Sequence, residues 1–96
     1  RVNIIRMARE VGLYTVQRFF IVDSHSIETT IEAVKASKAD TIEVMPGIAS
    51  KIIRVLKEKI EVPIIAGGLI ETAAEAAEAY QNGASAISTG KADLWD

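Results

Sequence analysis

Short apolar runs alternate with amphipathic stretches along the whole chain. Four of the runs are rich in β-branched or small apolar residues and predict strands at 14–22, 40–45, 62–66 and 84–88. Apolar residues at helical spacing predict helices over 3–11, from Ser24 or Ser26 to about 38, 49–59 and 71–81, with a short turn at 92–95. This alternation of helices and strands predicts right-handed crossovers and a parallel sheet.

The apolar spacing also predicts which side chains pack on the sheet. In the first helix the stripe consists of Ile4, Ala8 and Val11, and in the third of Ile48, Ile52, Val55 and Leu56. In the second strand, Ile42 and Val44 suit the helix side. That assignment leaves Thr41, Glu43 and Met45 on the inner face of the sheet.

The strands recur every 20 to 26 residues or so, the period of a (β/α)₈ TIM barrel and also of a doubly wound sheet. Four strands are half of such a barrel, so residues 1–96 are interpreted as a single segment, one half of a TIM-barrel domain. An isolated half would expose sheet edges and an apolar inner face. We therefore expect a partner: a missing half-barrel or a second copy in a homo-oligomer.

Two strand ends carry small residues that suit an anion. Gly67 and Gly68 follow the third strand, and Ser88, Thr89 and Gly90 end the fourth. Glycine lets backbone N–H groups approach a ligand, and a nearby helix N-terminus favours negative charge. Since these are the strand ends that hold phosphate in many barrels, we predict a phosphate site there. The alternative is a pair of tight turns without a ligand.

Three charged residues lie near the same end of the predicted sheet. Glu43 faces the concavity and either forms an ion pair with Arg18 or contacts a ligand. The parity of the first strand is open, because either Arg18 and Phe20 or Gln17 and Phe19 can point inward. Asp23 follows that strand directly.

Composition narrows the class of protein. With 49% hydrophobic residues and a net charge of −2, the chain has an ordinary globular composition without the basic excess of most nucleic-acid-binding proteins. It has no Cys and one His, so we predict no metal or cofactor and no thiol chemistry. No apolar run reaches the roughly 18 residues of a membrane span. Because the chain starts at Arg1 rather than Met, we interpret it as a segment of a longer protein.

Two features could be functional but are also typical of a solvated surface. Lys51 and Arg54 belong to a basic cluster on the third helix, which is either a solvated face or an RNA-facing one. His25 lies in a polar loop that contains no nucleophile elbow, so we do not predict a catalytic triad.

The chain resembles the glycerol-3-phosphate-responsive antiterminator family in several sequence blocks that follow one another in the same order. They are Thr15-Val16-Gln17-Arg18-Phe19-Phe20, Glu43-Val44-Met45-Pro46-Gly47-Ile48, Ala66-Gly67-Gly68-Leu69-Ile70, Ser88-Thr89 and Leu94-Trp95. Family members are about twice as long, so the resemblance is to their C-terminal half. It implies a cytoplasmic TIM-barrel regulator that binds glycerol 3-phosphate and leader mRNA, prevents transcription termination at glycerol-utilisation genes and catalyses no reaction.

Under this resemblance, the phosphate lies between the two glycine-containing turns, and Glu43, with Arg18 or Asp23, orients the glycerol moiety. Lys51 and Arg54 are the candidate RNA contacts. Two alternatives stay open. One is a TIM-barrel enzyme acting on a small phosphorylated substrate, with Glu43 and Asp23 as general acid and base or as Mg²⁺ ligands. The other is a half-barrel assembly unit that binds no ligand.

Overall fold

The computed structural model describes residues 2–47 and 49–90, with side chains from Ile4 onward. The helices and strands, in chain order, are α1 (Val2–Glu10), β1 (Val16–Phe20), α2 (Ser24–Ser37), β2 (Thr41–Met45), α3 (Ser50–Lys59), β3 (Ile64–Gly67), α4 (Ala73–Gln81) and β4 (Ala86–Ser88). Each predicted element within these ranges is present. The turn predicted at 92–95 lies outside the described residues.

The four strands form one sheet in the order β1-β2-β3-β4, and every pair is parallel. In the register of the sheet, Arg18 lies beside Glu43, Glu43 beside Ile65, and Ile65 beside Ala86. The predicted fold class is confirmed: alternating strands and helices form an α/β half-barrel. Because all strands run the same way, their carboxyl ends meet along one edge of the sheet.

The hydrophobic core lies between the sheet and the helices. Ile42, Ile64 and Leu56 are fully buried there, as the alternation in β2 and the stripe in α3 predict. One part of the α3 prediction is wrong, because Ile53 is buried and Ile52 and Val55 are only half-buried. Helix α3 places Ser50, Ile53 and Leu56 against the sheet, a face rotated by about one residue from the predicted stripe. Ile48 lies outside the described residues.

Helix α1 forms as predicted, but its apolar stripe is not covered by any described strand. Ile4 is 69% exposed and Val11 75% exposed, whereas Ala8 is half-buried. The helix is held instead through Arg9, whose Nη1 donates to the carbonyl oxygen of Lys38 at 2.6 Å. The stripe therefore forms an exposed apolar surface beside β1.

A polar network joins β1 to the start of β2 at the amino ends of the strands. The backbone N–H of Thr15 donates to Asp40 Oδ2 at 2.8 Å, and the Thr15 hydroxyl donates to the same oxygen at 3.1 Å. The Thr15 hydroxyl also accepts from the Asp40 N–H at 3.0 Å, and Arg9 Nη1 lies 3.2 Å from Asp40 Oδ1. The hydrogen bond from the Thr15 N–H, helped by the Thr15 hydroxyl and by Arg9, lowers the pKa of Asp40.

This lowered pKa makes the Asp40 network sensitive to acid. A carboxylate whose pKa is lower in the folded state contributes stability above its unfolded pKa, near 3.9, and loses it as the pH falls through the folded value. We expect Asp40→Asn to lower the free energy of unfolding at pH 7. This deficit in stability relative to wild type should shrink towards zero near pH 2. Urea midpoints at both pH values measure this deficit. Glu61→Gln, at an exposed loop carboxylate, is the control and should have the smaller effect at pH 7. A deficit for Asp40→Asn that is equal at both pH values would contradict the prediction.

Candidate ligand site at the carboxyl ends of the strands

Hydrogen bonds join each strand end to the next and make one continuous rim. At the three junctions, the Ile21 N–H donates to Met45 O at 2.8 Å, the Gly47 N–H donates to Gly67 O, and the Thr89 hydroxyl donates to Ile70 O at 2.5 Å. The turns after β3 and β4, which contain the predicted phosphate residues, are therefore tied directly to one another.

The turn after β2 approaches the end of β3 so closely that Gly47 has no space for a side chain. A Cβ on Gly47 would lie 2.6 Å from Gly67 N and 2.7 Å from Ala66 C, distances that real Cβ atoms do not reach. A Cβ on Gly67 would lie 2.5 Å from Glu43 Oε2. Thus the Glu43 carboxylate occupies the space beside Gly67, directly beneath the turn.

The turn after β3 has an unusual backbone. Gly68 has φ +85° and Leu69 has φ +62°, so two successive residues lie in the left-handed region, which a leucine rarely adopts. Within the described part of the chain, the N–H groups of Gly68 and Leu69 donate no hydrogen bond. The turn therefore carries two adjacent backbone donors next to the Glu43 carboxylate.

The turn after β4 completes this part of the rim. Ser88 is exposed at the end of the strand, and a Cβ on Gly90 would meet no atom within 4 Å. The Thr89 hydroxyl donates to Ile70 O, so this side chain connects the two turns. The rim therefore has open space at Gly90 and an exposed hydroxyl at Ser88.

Glu43 and Arg18 form an ion pair on the inner face of the sheet. Arg18 Nε donates to Glu43 Oε1 at 3.1 Å, with the Glu43 side chain 12% exposed and that of Arg18 61% exposed. The predicted ion pair is therefore present, but it is not buried, because the Arg18 side is open to solvent, and a ligand contact of Glu43 stays a prediction. Such a half-exposed pair adds little to stability, so its chief effect is to orient the Glu43 carboxylate under the β3 turn.

The parity of β1, left open by the sequence, follows from the same pair. Arg18 shares the inner face with Phe20, whereas Gln17 points towards the helices. There the buried Ser37 hydroxyl donates to Gln17 Oε1 at 2.7 Å. This hydrogen bond satisfies a polar side chain that the apolar helix layer would otherwise leave unpaired.

Asp23 caps α2, in place of the predicted Ser24 or Ser26. Its Oδ1 accepts from the Ser26 N–H at 2.8 Å and from the Ser26 hydroxyl at 2.9 Å, and these bonds lower the Asp23 pKa. Asp23 is thus a capping residue, held at the start of α2 by contacts with Ser26.

Helix α4 begins at Ala73, shortly after the turn that follows β3. Thr72 and Glu75 form a capping box, in which the Thr72 hydroxyl accepts from the Glu75 N–H and the Glu75 carboxylate accepts from the Thr72 N–H. The contribution of this helix N-terminus to an anion site stays a prediction.

The two candidate RNA contacts occupy different surroundings on α3. Lys51 is exposed in the first turn of the helix, at the same end of the sheet as the rim. Arg54 Nε donates to Asn82 Oδ1 at 3.0 Å and so ties α3 to the end of α4.

His25 is exposed in the first turn of α2.

A family model described as glycerol-3-phosphate responsive antiterminator matches residues 1–95. The chain belongs to this family. It superposes with a TM-score of 0.93 on a glycerol uptake operon antiterminator regulatory protein from Listeria monocytogenes, at 33% identity, covering 99% of this chain and 51% of that one. A glycerol uptake operon antiterminator-related protein from Thermotoga maritima matches with a TM-score of 0.84 and 36% identity, over 99% of this chain and 54% of that one.

A curated relative, the uncharacterized protein YgcP of Escherichia coli (strain K12), is 36% identical over 95 residues, which are 99% of this chain and 50% of the relative. The chain thus spans about half the length of the relatives it matches. Among residues 2–47 and 49–90, no helix is long and apolar enough to cross a membrane.

Sequence reasoning missed two residues that shape the rim. Gly47 is one of them, because its contact with Gly67 sets the distance between two turns. The Pro46-Gly47 pair signals a turn, and nothing in it signals which turn lies opposite. Leu69 gave no signal at all, because a leucine is not expected at positive φ.

The contact at Gly47 leads to a mutational prediction. We expect Gly47→Ala to destabilise the protein by about 1–3 kcal/mol, because its methyl group meets backbone atoms that cannot turn away. Gly90→Ala is the matched control, and with open space around it should change stability by less than about 0.5 kcal/mol. Urea denaturation measures both. Equal stability of the two variants would disprove the close approach of the turns.

Proposed function

We propose that this chain carries the glycerol 3-phosphate site of an antiterminator-type regulator. The single observation that carries the proposal is the pair of backbone N–H groups at Gly68 and Leu69, which donate to no described residue and lie in a turn tied to Ser88-Thr89-Gly90. Converging N–H groups are a common means of binding phosphate. Membership in a family named for its response to glycerol 3-phosphate supports the choice of ester.

In this proposal the phosphate is bound by the turns and the glycerol moiety by Glu43. The N–H groups of Gly68 and Leu69, the Ser88 hydroxyl and the backbone at Gly90 contact the phosphate oxygens. The Glu43 carboxylate, buried beneath Gly67, accepts hydrogen bonds from glycerol hydroxyls, and its ion pair with Arg18 keeps it oriented. Thr89 and Asp23 support the site by holding the rim and α2.

We propose binding without turnover. The enzyme hypothesis needs two carboxylates that converge on the substrate, and Asp23 is already engaged as the cap of α2, which leaves Glu43 alone. A general acid or base has to reach the reacting atom with a free proton site. A sensor needs only a ligand that binds one conformation of the protein better than another.

Ligand binding to the folded state raises its stability by RT ln(1 + [L]/Kd), about 2.7 kcal/mol at one hundred times Kd. We therefore expect glycerol 3-phosphate to raise the melting temperature, inorganic phosphate to raise it less, and glycerol to leave it unchanged. Thermal denaturation with each compound measures the shifts. Equal shifts with glycerol and its phosphate ester, or no shift with either, would rule out the site.

Two serines of the same segment provide a matched pair of variants. Ser88 lies at the carboxyl end, in the rim, whereas Ser85 is exposed at the amino end, just before β4. We expect Ser88→Ala to reduce the shift caused by glycerol 3-phosphate and Ser85→Ala to leave it intact. Loss of the shift in both variants would indicate a general effect on folding rather than a phosphate contact.

We further propose that leader mRNA binds at the ligand end of α3, through Lys51. Lysine binds RNA phosphates by charge, with a strong dependence on salt. Lys51 is exposed beside the rim, so RNA bound there would lie close to the ligand turns. Arg54 contributes less, because its guanidinium already contacts Asn82.

Charge reversal at the two ends of α3 tests this RNA surface. Lys51→Glu and Lys59→Glu change the net charge equally, but Lys59 lies at the far end of the helix. We expect Lys51→Glu to weaken binding of a leader transcript and to lower the salt slope by about one, and Lys59→Glu to have little effect. Filter binding at several salt concentrations measures both, and equal losses would show that the contact is not at Lys51.

A further inference from the structure

Glu43 lies on an inner strand of the sheet, with a described strand on each side of it. In the register of β2, its neighbour is Arg18 on the β1 side and Ile65 on the β3 side. Side chains alternate along a strand, so Gly67 faces the same way as Ile65, two residues nearer the carboxyl end. The Glu43 side chain therefore has Arg18 on one side and Gly67 on the other.

The two oxygens of the Glu43 carboxylate have different surroundings. Oε1 accepts from Arg18 Nε at 3.1 Å, whereas Oε2 lies 2.5 Å from the position that a Cβ on Gly67 would occupy. Among the described residues, no group donates a hydrogen bond to Oε2. Oε2 is not sealed from solvent either, because no fully buried side-chain oxygen of these residues lacks a partner. It is thus an open, negatively charged acceptor beside the turn that follows β3.

We propose that Glu43 is a specificity-determining residue of the ligand site. Its Oε2 selects phosphate esters whose other end carries hydroxyl groups over phosphorylated acids of the same length. This inference rests on the phosphate site proposed above for the turns after β3 and β4. A phosphate held by the N–H groups of Gly68 and Leu69 brings the remainder of a short ligand close to Oε2, because Gly67 directly precedes that turn.

The selection comes from the charge on this acceptor. A hydroxyl group donates to a carboxylate in a charge-assisted hydrogen bond, which is stronger than a bond between neutral groups. A ligand carboxylate has no proton to donate at neutral pH, and two like charges about 4 Å apart repel each other. Arg18 offsets this repulsion only in part, because it binds the other oxygen, on the β1 side. Repulsion of the wrong ligand is a general source of specificity.

Two ligands of equal length test this inference. In 3-phosphoglycerate, a carboxylate replaces the terminal hydroxymethyl group of glycerol 3-phosphate. We expect the protein to bind glycerol 3-phosphate at least about tenfold more tightly, with both dissociation constants measured by isothermal titration calorimetry at neutral pH. Equal dissociation constants, or tighter binding of the acid, would overturn the inference and leave the proposed phosphate site intact. If neither compound binds, and inorganic phosphate does not bind either, the phosphate site fails and this inference fails with it.

Two glutamine substitutions with the same charge change locate the selection. Glu43→Gln keeps an oxygen for Arg18 and places beside Gly67 an amide group that can donate to a ligand carboxylate. The ratio of the two dissociation constants should therefore fall towards one. Glu71→Gln removes the same charge from an exposed side chain that follows the same turn, and should leave the ratio unchanged. An unchanged ratio in Glu43→Gln, or an equal fall in both variants, would overturn the role of Glu43.

A substitution without a charge change moves the same carboxylate. The three atoms nearest to a methyl group at Gly67 all belong to the Glu43 side chain, whose flexible end can turn away. Gly67→Ala should therefore displace the carboxylate and lower the ratio. Circular dichroism shows whether each variant is folded. If Glu43→Gln is unfolded, the wild-type ratio and Gly67→Ala decide, and a wild-type ratio in Gly67→Ala would contradict the inference.

Discussion

The absence of a side chain at Gly47 and at Gly67 is the constraint on which the rim at the carboxyl ends of the strands depends. Gly47 lets the turn after β2 come into backbone contact with the end of β3, and Gly67 leaves space for the Glu43 carboxylate beneath it. That contact places Glu43 where its second oxygen lies against the β3 turn while its first is held by Arg18. The arrangement at this rim therefore follows from close backbone packing. The polar side chains occupy the space that this packing leaves.

The two ends of the sheet differ in how their polar groups are satisfied. At the amino ends, Asp40, Thr15 and Arg9 bind one another in a closed network. At the carboxyl ends, the strands are joined just as firmly, but the N–H groups of Gly68 and Leu69 donate to no described residue. In parallel α/β proteins, the amino ends of the strands commonly stabilise the fold, and the carboxyl ends commonly offer the hydrogen-bond donors that bind ligands.

The lateral edges of the sheet impose a second constraint. The helix layer packs on one face of the sheet, where Ile42, Ile53 and Leu56 are fully buried. On the β1 side, α1 and the strand present apolar surfaces to an open cleft. The described residues thus bury a hydrophobic core on the helix side of the sheet and expose apolar side chains at the β1 edge.

How far the sequence could predict this protein depended on the range of the interactions involved. Alternating apolar patterns in β2 and the turn residues after each strand identified the strands, their parallel arrangement and the glycine-rich ends, because these signals are local. The cap at Asp23 and the rotation of α3 were missed, since each depends on competition between neighbouring residues that satisfy the same pattern.

By itself, the sequence determined the fold class, the family and the set of polar residues near the carboxyl ends of the strands. Only the tertiary structure decided that Glu43 pairs with Arg18, that Gly47 faces Gly67, that Thr89 connects two turns, and that α1 leaves its apolar stripe exposed. The physical reason is that each of these contacts joins residues from different strands or helices. Their distances are set by the packing of the whole sheet, which a linear pattern does not contain.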